Sequence, residues 1–531
     1  MRILNILKIL KLMESLLDNK LNSLPPKSDY SHSKLIGLNE LDKDPQVAYF
    51  TEARNTLASD PYRPAFHFSP PQNVMNDPNG LCHWNGYYHL FYQYRPGGHN
   101  DVVHWGHAIS SDMVRWNDMP IALYPETEKD CFSGQSLVED NRVIAIYHGT
   151  ESGNAIATST DPLLVTWIKN PHNPVIPIVP VDSTGYPYRV FDPCIWKEGE
   201  YYYSLSGTYR NGERSVDCEA VDHIFRSKDL SGWEYLGSML ESRFLTEPGE
   251  DGAVPNFLPI GSGKHLFLFF SHKRASQYFI GEYDEVTHKF HPEIHGRMNY
   301  GPLTVGRLHA PSATIDESGR IVSIYNVKES IEYRGWSDIM SLPRVLSLSS
   351  GDALSIEPVE EINSLRSKQI DISNKDIPAN EIVDLKGVSG NQIEINIKLD
   401  PGEASECGLY VLQSPDKQER TRISFMRTTN RWSKTDTLQI DASESSTRKD
   451  VLASPPETGP LFLGSDETLN LQIYVDRSIV EVFANGKQCL TLRVYPDNEA
   501  SQGVSIYARG GRARLISLTK WDMESIWSEL I

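Results

Sequence analysis

Residues 73–96, NVMNDPNGLCHWNGYYHLFYQYRP, contain two kinds of sequence. The second half is apolar and aromatic on both sides of Asn85-Gly86, a pair suited to the tight turn of a β-hairpin. The first half, Asn76-Asp77-Pro78-Asn79-Gly80, is turn chemistry gathered around one carboxylate. An isolated Asp-Pro is ordinary turn material, so the weight of Asp77 depends on what recurs along the chain.

The hairpin recurs. SGQSLVEDNRVIAIYHG from Ser133, DPCIWKEGEYYYSLSG from Asp192, VPNFLPIGSGKHLFLFFSH from Val254 and APSATIDESGRIVSIYN from Ala310 share the plan of GLCHWNGYYHLFYQY from Gly80. Each is a short strand, a turn rich in Gly, Asn or Asp, and a strongly apolar strand. Their starts lie 53, 59, 62 and 56 residues apart. Behind them SSDMVRWNDM, STDPLLVTW, SKDLSGWEY and YDEVTHKF each place an Asp a few residues before an aromatic, as an outer hairpin would. Four strands in each period of this length indicate a β-propeller, with five blades over roughly residues 62–350. Farther on, QIEINIKLD, ECGLYVLQS, TRISFMRT, LNLQIYVDRSIVEVFANGKQCLTLRVYP and RARLISLTKW alternate as the strands of a sandwich. The expected organisation is all-β: a short helical extension over 1–60, a propeller over 61–355, and a linker with a β-sandwich over 356–531.

The 531 residues are too many for one core, and 39% hydrophobic with 23% charged is a globular composition. A formal charge of -19 argues against nucleic acid or an anionic membrane as partner and suits a neutral substrate. Ten Trp and 25 Tyr suit a sugar-binding surface. The six Cys show no CxxC spacing and are expected to be free, buried thiols. The opening MRILNILKILKLMESLLDNKL is apolar at helical spacing, but Lys8 and Lys11 interrupt it. It reads as an amphipathic helix docked on the body or on a neighbour in a homo-oligomer. It is too short and charged to span a bilayer, and no clear signal peptide is present, which favours the cytoplasm.

In a propeller, the residues at the entrance to each innermost strand face one funnel. Asp77 precedes the first such strand, Asp192 opens the third, and Glu250 and Asp251 precede the fourth. Converging carboxylates in a neutral, aromatic pocket suit glycoside hydrolysis, where one acid stays ionised and another delivers a proton.

These motifs resemble glycoside hydrolase family 32, the invertases, fructan hydrolases and fructosyltransferases. HFSPPQNVMNDPNG is similar to the family's His-Phe-x-Pro-Pro-x-x-x-x-Asn-Asp-Pro-Asn-Gly motif, and FSGQS, VFDPCIW, LPRVLSL and YVDRSIVEVFANG follow in family order. The resemblance implies a five-bladed propeller with a C-terminal sandwich and a retaining β-fructofuranosidase acting on sucrose or fructans. Asp77 is then the nucleophile, Asp192 the transition-state stabiliser and Glu250 the acid/base, with Asp251 and Glu247 behind it. Asn76, Gln93, Trp105, Phe132 and Ser133 would shape the fructosyl subsite. Two departures stand out. Phe191 replaces the family's Arg before Asp-Pro, with Arg189 two residues earlier. Aligning Val254-Pro255-Asn256 with Cys-Pro-Asp puts Ala253 where the family has its Glu, so Glu250 lies three residues early. A transferase making fructo-oligosaccharides and a non-catalytic fructan-binding homologue are the alternatives. No cofactor is expected, and His67, His104, His107, His148 and His272 lack metal-ligand spacing such as HExxH.

Overall fold

The alternating patterns close into seven sheets among the described residues. The computed structural model describes residues 24–30, 41, 43–179, 190–209, 220–240, 246–247, 249–301, 307–428, 435–452, 454–464 and 466–527. The helix expected over the first 21 residues lies outside them.

The first sheet comprises β1 (Asn73–Trp84), β2 (Tyr87–Arg95), β3 (His104–Ser110) and β4 (Asn117–Leu123). The second has β5 (Cys131–Glu139), β6 (Arg142–Gly149), β7 (Gly153–Ser159) and β8 (Ile168–Lys169), with β9 (Ile176–Pro177) also on β7. The third is β10 (Phe191–Glu198), β11 (Tyr201–Tyr209), β12 (Ala220–Ser227) and β13 (Glu234–Ser238). The fourth is β14 (Ala253–Gly261), β15 (Lys264–Ser271), β16 (Ala275–Asp284) and β17 (Lys289–Arg297). The fifth starts with β18 (Leu308–Ile315) and β19 (Ile321–Val327). The chain then contributes β20 (Trp336–Ser337), which pairs in parallel with β1, before β21 (Ile339–Met340), β22 (Arg344–Leu348) and β23 (Leu354–Pro358) complete the fifth sheet. Inner strands pack in a ring: β1 on β5, β5 on β10, β10 on β14, β14 on β18, and β18 back on β1. The five hairpins read from sequence are the two inner strands of these five blades.

The outer hairpins owe their shape to their Asp. Asp112 accepts the backbone N–H groups of Val114 and Arg115, Asp229 those of Ser231 and Gly232, and Asp284 those of Val286 and Thr287. A side-chain carboxylate that completes a turn in this way explains why Asp recurs there. The following aromatic packs inward: Trp116 is buried between blades.

Among the described residues, one α-helix packs against the outside of the first blade. Helix α1 (Pro45–Leu57) starts at Asp44, whose carboxylate accepts the Gln46 N–H, and has Pro at its first position. Its Arg54 pairs with Asp118 of β4 and lies 3.6 Å from the Trp527 ring. Among the described residues no helix is long and apolar enough to cross a membrane.

Two six-stranded sheets follow the fifth blade and enclose an aliphatic core that includes Ile395, Leu409, Ile423, Ile473 and Leu518. They meet the propeller through a buried charge network. Asp476 accepts the backbone N–H groups of Ala65, Phe66 and His67 at 2.7–2.9 Å and the His67 imidazole Nδ1 at 2.8 Å. Glu481 lies 3.5 Å from the other His67 nitrogen and pairs with Arg344 at 2.7 Å. All four side chains are fully buried. Burial pushes the His67 imidazole down, but Asp476 and Glu481 outweigh it and hold it above the ordinary histidine value. Burial also pushes Glu481 up, but Arg344 and then His67 pull it down to about 2.

The two shifts bracket a pH window. Glu481, with its depressed folded value, adds stability above the ordinary glutamate range of about 4.3 and loses it as pH falls toward 2. His67, with its raised folded value, adds stability below about 6.5 and loses it as pH climbs through that raised value. Tm measured by calorimetry is expected to peak between about pH 4.5 and 6.5, and His67→Gln should flatten the alkaline flank. A wild-type Tm rising steadily from pH 6.5 to 8.5 would contradict this assignment.

Candidate active site

Every innermost strand breaks its ladder near the same end. The register shifts between Met75 and Pro78 in β1, Cys131 and Gly134 in β5, Phe191 and Pro193 in β10, Ala253 and Asn256 in β14, and Leu308 and Pro311 in β18. In four strands two residues stand opposite one. Such a bulge cancels the strict alternation of a strand and re-aims side chains.

In β1 the residues opposite Gln93 are Asn76 and Asp77, and both bond to it. Asn76 Nδ2 donates to Gln93 Oε1 at 3.1 Å, and Gln93 Nε2 donates to Asp77 Oδ2 at 3.2 Å. Gln93 Nε2 also donates to Ser133 Oγ at 2.6 Å, and the Ser133 hydroxyl donates to Asp77 Oδ2 at 2.6 Å. Ser133 occupies the bulge of β5, so two blades grip one carboxylate. Both donors converge on Oδ2, leaving Oδ1 as the oxygen they do not hold. Asn76 is fixed from the other side, where its Oδ1 accepts from Lys328 Nζ and from Asn326 Nδ2 at 3.3 Å. Asn76 and Asp77 are half-buried, whereas Gln93 and Ser133 are buried beneath them.

Asp192 is the extra residue of the β10 bulge and has φ +45°. Its neighbour Phe191, which stands where the resemblance expects Arg, packs with Ala253, Val254, Phe270, Ala275 and Ala310. Gly207 makes room for that ring, because a Cβ there would approach it to 2.8 Å. Phe191 thus forms part of an apolar wall beside Asp192. Arg189 lies outside the described residues.

The fourth blade differs from expectation. Glu250 is 0% exposed at its side chain, accepts from Arg297 Nη2 at 2.9 Å and Gln277 Nε2 at 2.5 Å, and so turns toward the outer strands β16 and β17 of its own blade. Asp251 is also buried, 1% exposed, with Oδ1 accepting the His272 N–H at 2.7 Å and Oδ2 meeting the His272 Nδ1 at 2.6 Å. Glu247 is half-buried and pairs with Arg274 and Lys273, which hold its carboxyl below the usual range. The bulge of β14 presents Val254 and Pro255, Val254 at φ +49°.

Residues 67–358 match the glycosyl hydrolases family 32 N-terminal domain, and residues 361–522 match the C-terminal domain of the same family. The chain belongs to glycoside hydrolase family 32. It is 31% identical to a levanase of Bacillus subtilis (strain 168) over 90% of this chain and 72% of that protein. It is 28% identical to a fructan 6-exohydrolase of Beta vulgaris over 88% of this chain and 87% of that protein. Among solved structures it superposes on fructan 1-exohydrolase IIa from Cichorium intybus with a TM-score of 0.77 at 25% identity, covering 88% of this chain and 98% of that one. The all-β fold of propeller and sandwich is that of family 32.

Of the residues anticipated from sequence, Asn76, Asp77, Gln93 and Ser133 form one bonded cluster. Phe132, beside Ser133, is half-buried and contacts the His148 ring. Trp105 corrects the expectation of a sugar-facing residue. It is fully buried among Phe91 and Tyr147, with its indole N–H on the Phe132 carbonyl at 2.8 Å. It supports the subsite from behind. The five described cysteines are free and buried. Lys328 was not anticipated. It lies just past β19, where it bonds Asn76 and pairs with Asp338 at 3.1 Å. Its position directly after the fifth hairpin was the available signal.

Gly80 closes the motif at φ +50°, and a Cβ there would meet Ser136 Oγ at 2.5 Å and the Phe91 and Trp105 rings at 3.2 Å. Gly80→Ala combines left-handed strain with crowding beneath Asp77. It should cost about 1–3 kcal/mol by denaturant unfolding and lower activity as well. An unchanged unfolding midpoint would contradict this.

Proposed function

We propose that this protein is a retaining β-fructofuranosidase that releases fructosyl units from sucrose or fructans. The observation that carries this reading is the double bulge contact at Gln93, where Gln93, itself held by Asn76, and Ser133 donate to one oxygen of Asp77 and orient the carboxylate. Two donors on one oxygen hold an ionised, acceptor-only group in a single orientation, as a nucleophile requires.

Asp77 attacks the anomeric C2 of the fructosyl unit, forming a carboxylate ester as the bond to the leaving oxygen breaks. Asp192, in the third bulge, accepts from fructosyl hydroxyls and stabilises the oxocarbenium-like centre. Phe132 and Asn76 line the fructosyl subsite, with Ser133, Gln93 and Trp105 holding them. The proton for the leaving oxygen comes from the wall of the fourth blade, which holds Glu250 and Asp251. Water then attacks C2, and the ester bond breaks with net retention. The propeller over 61–355 carries this chemistry, and the sandwich over 356–531 supports it. The levanase and exohydrolase names of the relatives fit fructans as well as sucrose as substrates.

Purified protein incubated with sucrose, inulin and levan should release free fructose, and NMR of the first turnovers should show the β-anomer. Asp77→Asn should lower kcat by at least about 1,000-fold while Tm stays within a few degrees. Longer oligosaccharides in place of fructose would assign a transferase, and inversion at C2 would overturn the mechanism.

A further inference from the structure

The position at which family 32 is expected to carry its acid/base is Ala253 here, and the nearby acids Glu250 and Asp251 are both closed off from solvent. The polar group that leads from Asp251 toward the surface is an imidazole. We propose that His272, aimed by buried Asp251, is the general acid/base of this enzyme.

His272 follows β15 directly. Because Ala253 pairs with Phe270, the next steps of that antiparallel ladder set Asp251 beside His272. One carboxylate then grips the residue twice: Oδ1 takes its backbone N–H at 2.7 Å and Oδ2 its ring Nδ1 at 2.6 Å. Asp251 is 1% exposed and the His272 side chain 34%, so the pair runs from a buried carboxylate to a partly exposed ring. A buried Asp that fixes the tautomer and orientation of a His, and balances its charge when protonated, is the arrangement that makes imidazole an effective proton carrier.

The location agrees. His272 lies edge-on against Phe270, their ring centres 4.9 Å apart. Phe270 stacks on His309 of the β18 bulge at 5.3 Å and packs with Phe191, the neighbour of Asp192. His272 therefore stands at the bulge end of the blades, between the third and fifth bulges. In a ring of five, blades three and four face blade one across the axis, and blade one holds Asp77. A proton donor for the leaving oxygen has to lie on the far side of C2 from the nucleophile.

The step balances. As the Asp77 carboxylate bonds to C2, the C2–O pair passes to the leaving oxygen, which takes the proton from Nε2. The neutral ring keeps its Nδ1–H on Asp251. In the second half Nε2 takes a proton from the attacking water, and the bond between Asp77 and C2 breaks. His272 is the catalytic residue and Asp251 a positioning residue. Among the described residues, the charged groups flanking this rim include Glu247, which pairs with both Lys273 and Arg274.

The inference rests on the fructosidase reading above, and the test separates the two. Full-length wild type, His272→Ala, Asp251→Asn, Glu250→Gln and Asp77→Asn are assayed on sucrose and on β-D-fructofuranosyl fluoride, whose leaving group needs no proton. His272→Ala should lose roughly 100- to 10,000-fold in kcat/KM on sucrose and less than about tenfold on the fluoride. Asp251→Asn should show the same split, smaller in size, and Asp77→Asn should lose both activities. Retained fluoride turnover certifies the fold of the His272, Asp251 and Glu250 variants, and an unchanged Tm that of Asp77→Asn. Equal losses on both substrates for His272→Ala, a loss below tenfold on sucrose, or a split confined to Glu250→Gln would each overturn the proposal. Wild type inert on both substrates would overturn the fructosidase reading and this inference together.

Discussion

Everything that this molecule presents to its channel depends on a broken ladder. A β-strand that keeps its register sends alternate side chains to opposite faces, and no two neighbours in sequence can then serve one pocket. The bulge in each inner strand removes that restriction at one level of the propeller. It places Asn76 next to Asp77, delivers Ser133 to the same carboxylate from the adjacent blade, and leaves Asp192 as the extra residue of its strand with a left-handed backbone. The five repeats thus supply scaffold and irregularity together. The scaffold is interchangeable between blades, while the residues placed in the irregularity are not.

The fourth blade shows what the same device does when its contents change. Its bulge carries Val254 and Pro255, and the acids Glu250 and Asp251 lie just before the strand, where they are buried and paired. In parallel, the place of an Arg beside Asp192 is taken by Phe191, and Ala253, Phe270 and Ala310 gather around it. That apolar cluster spans the third, fourth and fifth blades, and His272 lies edge-on against its Phe270.

Much of this could be read without coordinates. Blade number followed from hairpins with Gly and Asn turns at a steady spacing. The outer hairpins followed from an Asp whose carboxylate caps its own turn, a local interaction that local sequence records. Asp77 stood out because no other unit carries its motif. Other features were illegible for identifiable reasons. Trp105 reads alike whether it faces sugar or core, since an aromatic ring with one N–H suits either. Glu250 could not be oriented by counting, because a bulge of unknown size resets the parity of a strand. His67 and Asp476 are 409 residues apart, and nothing near either names the other.

That last pair has a consequence for how such a protein can be divided or recombined. The His67 imidazole and the Arg344 guanidinium sit on the propeller side of the junction, while their compensating carboxylates belong to the sandwich. A propeller inherited without its sandwich would carry two stranded cations into solvent along with an open apolar seam, and a sandwich alone would carry the matching anions. The modules look separable in a strand diagram, yet they share one electrostatic account. Exchange of the second module alone is therefore expected to destabilise the first, whereas changes within the bulges leave this junction intact.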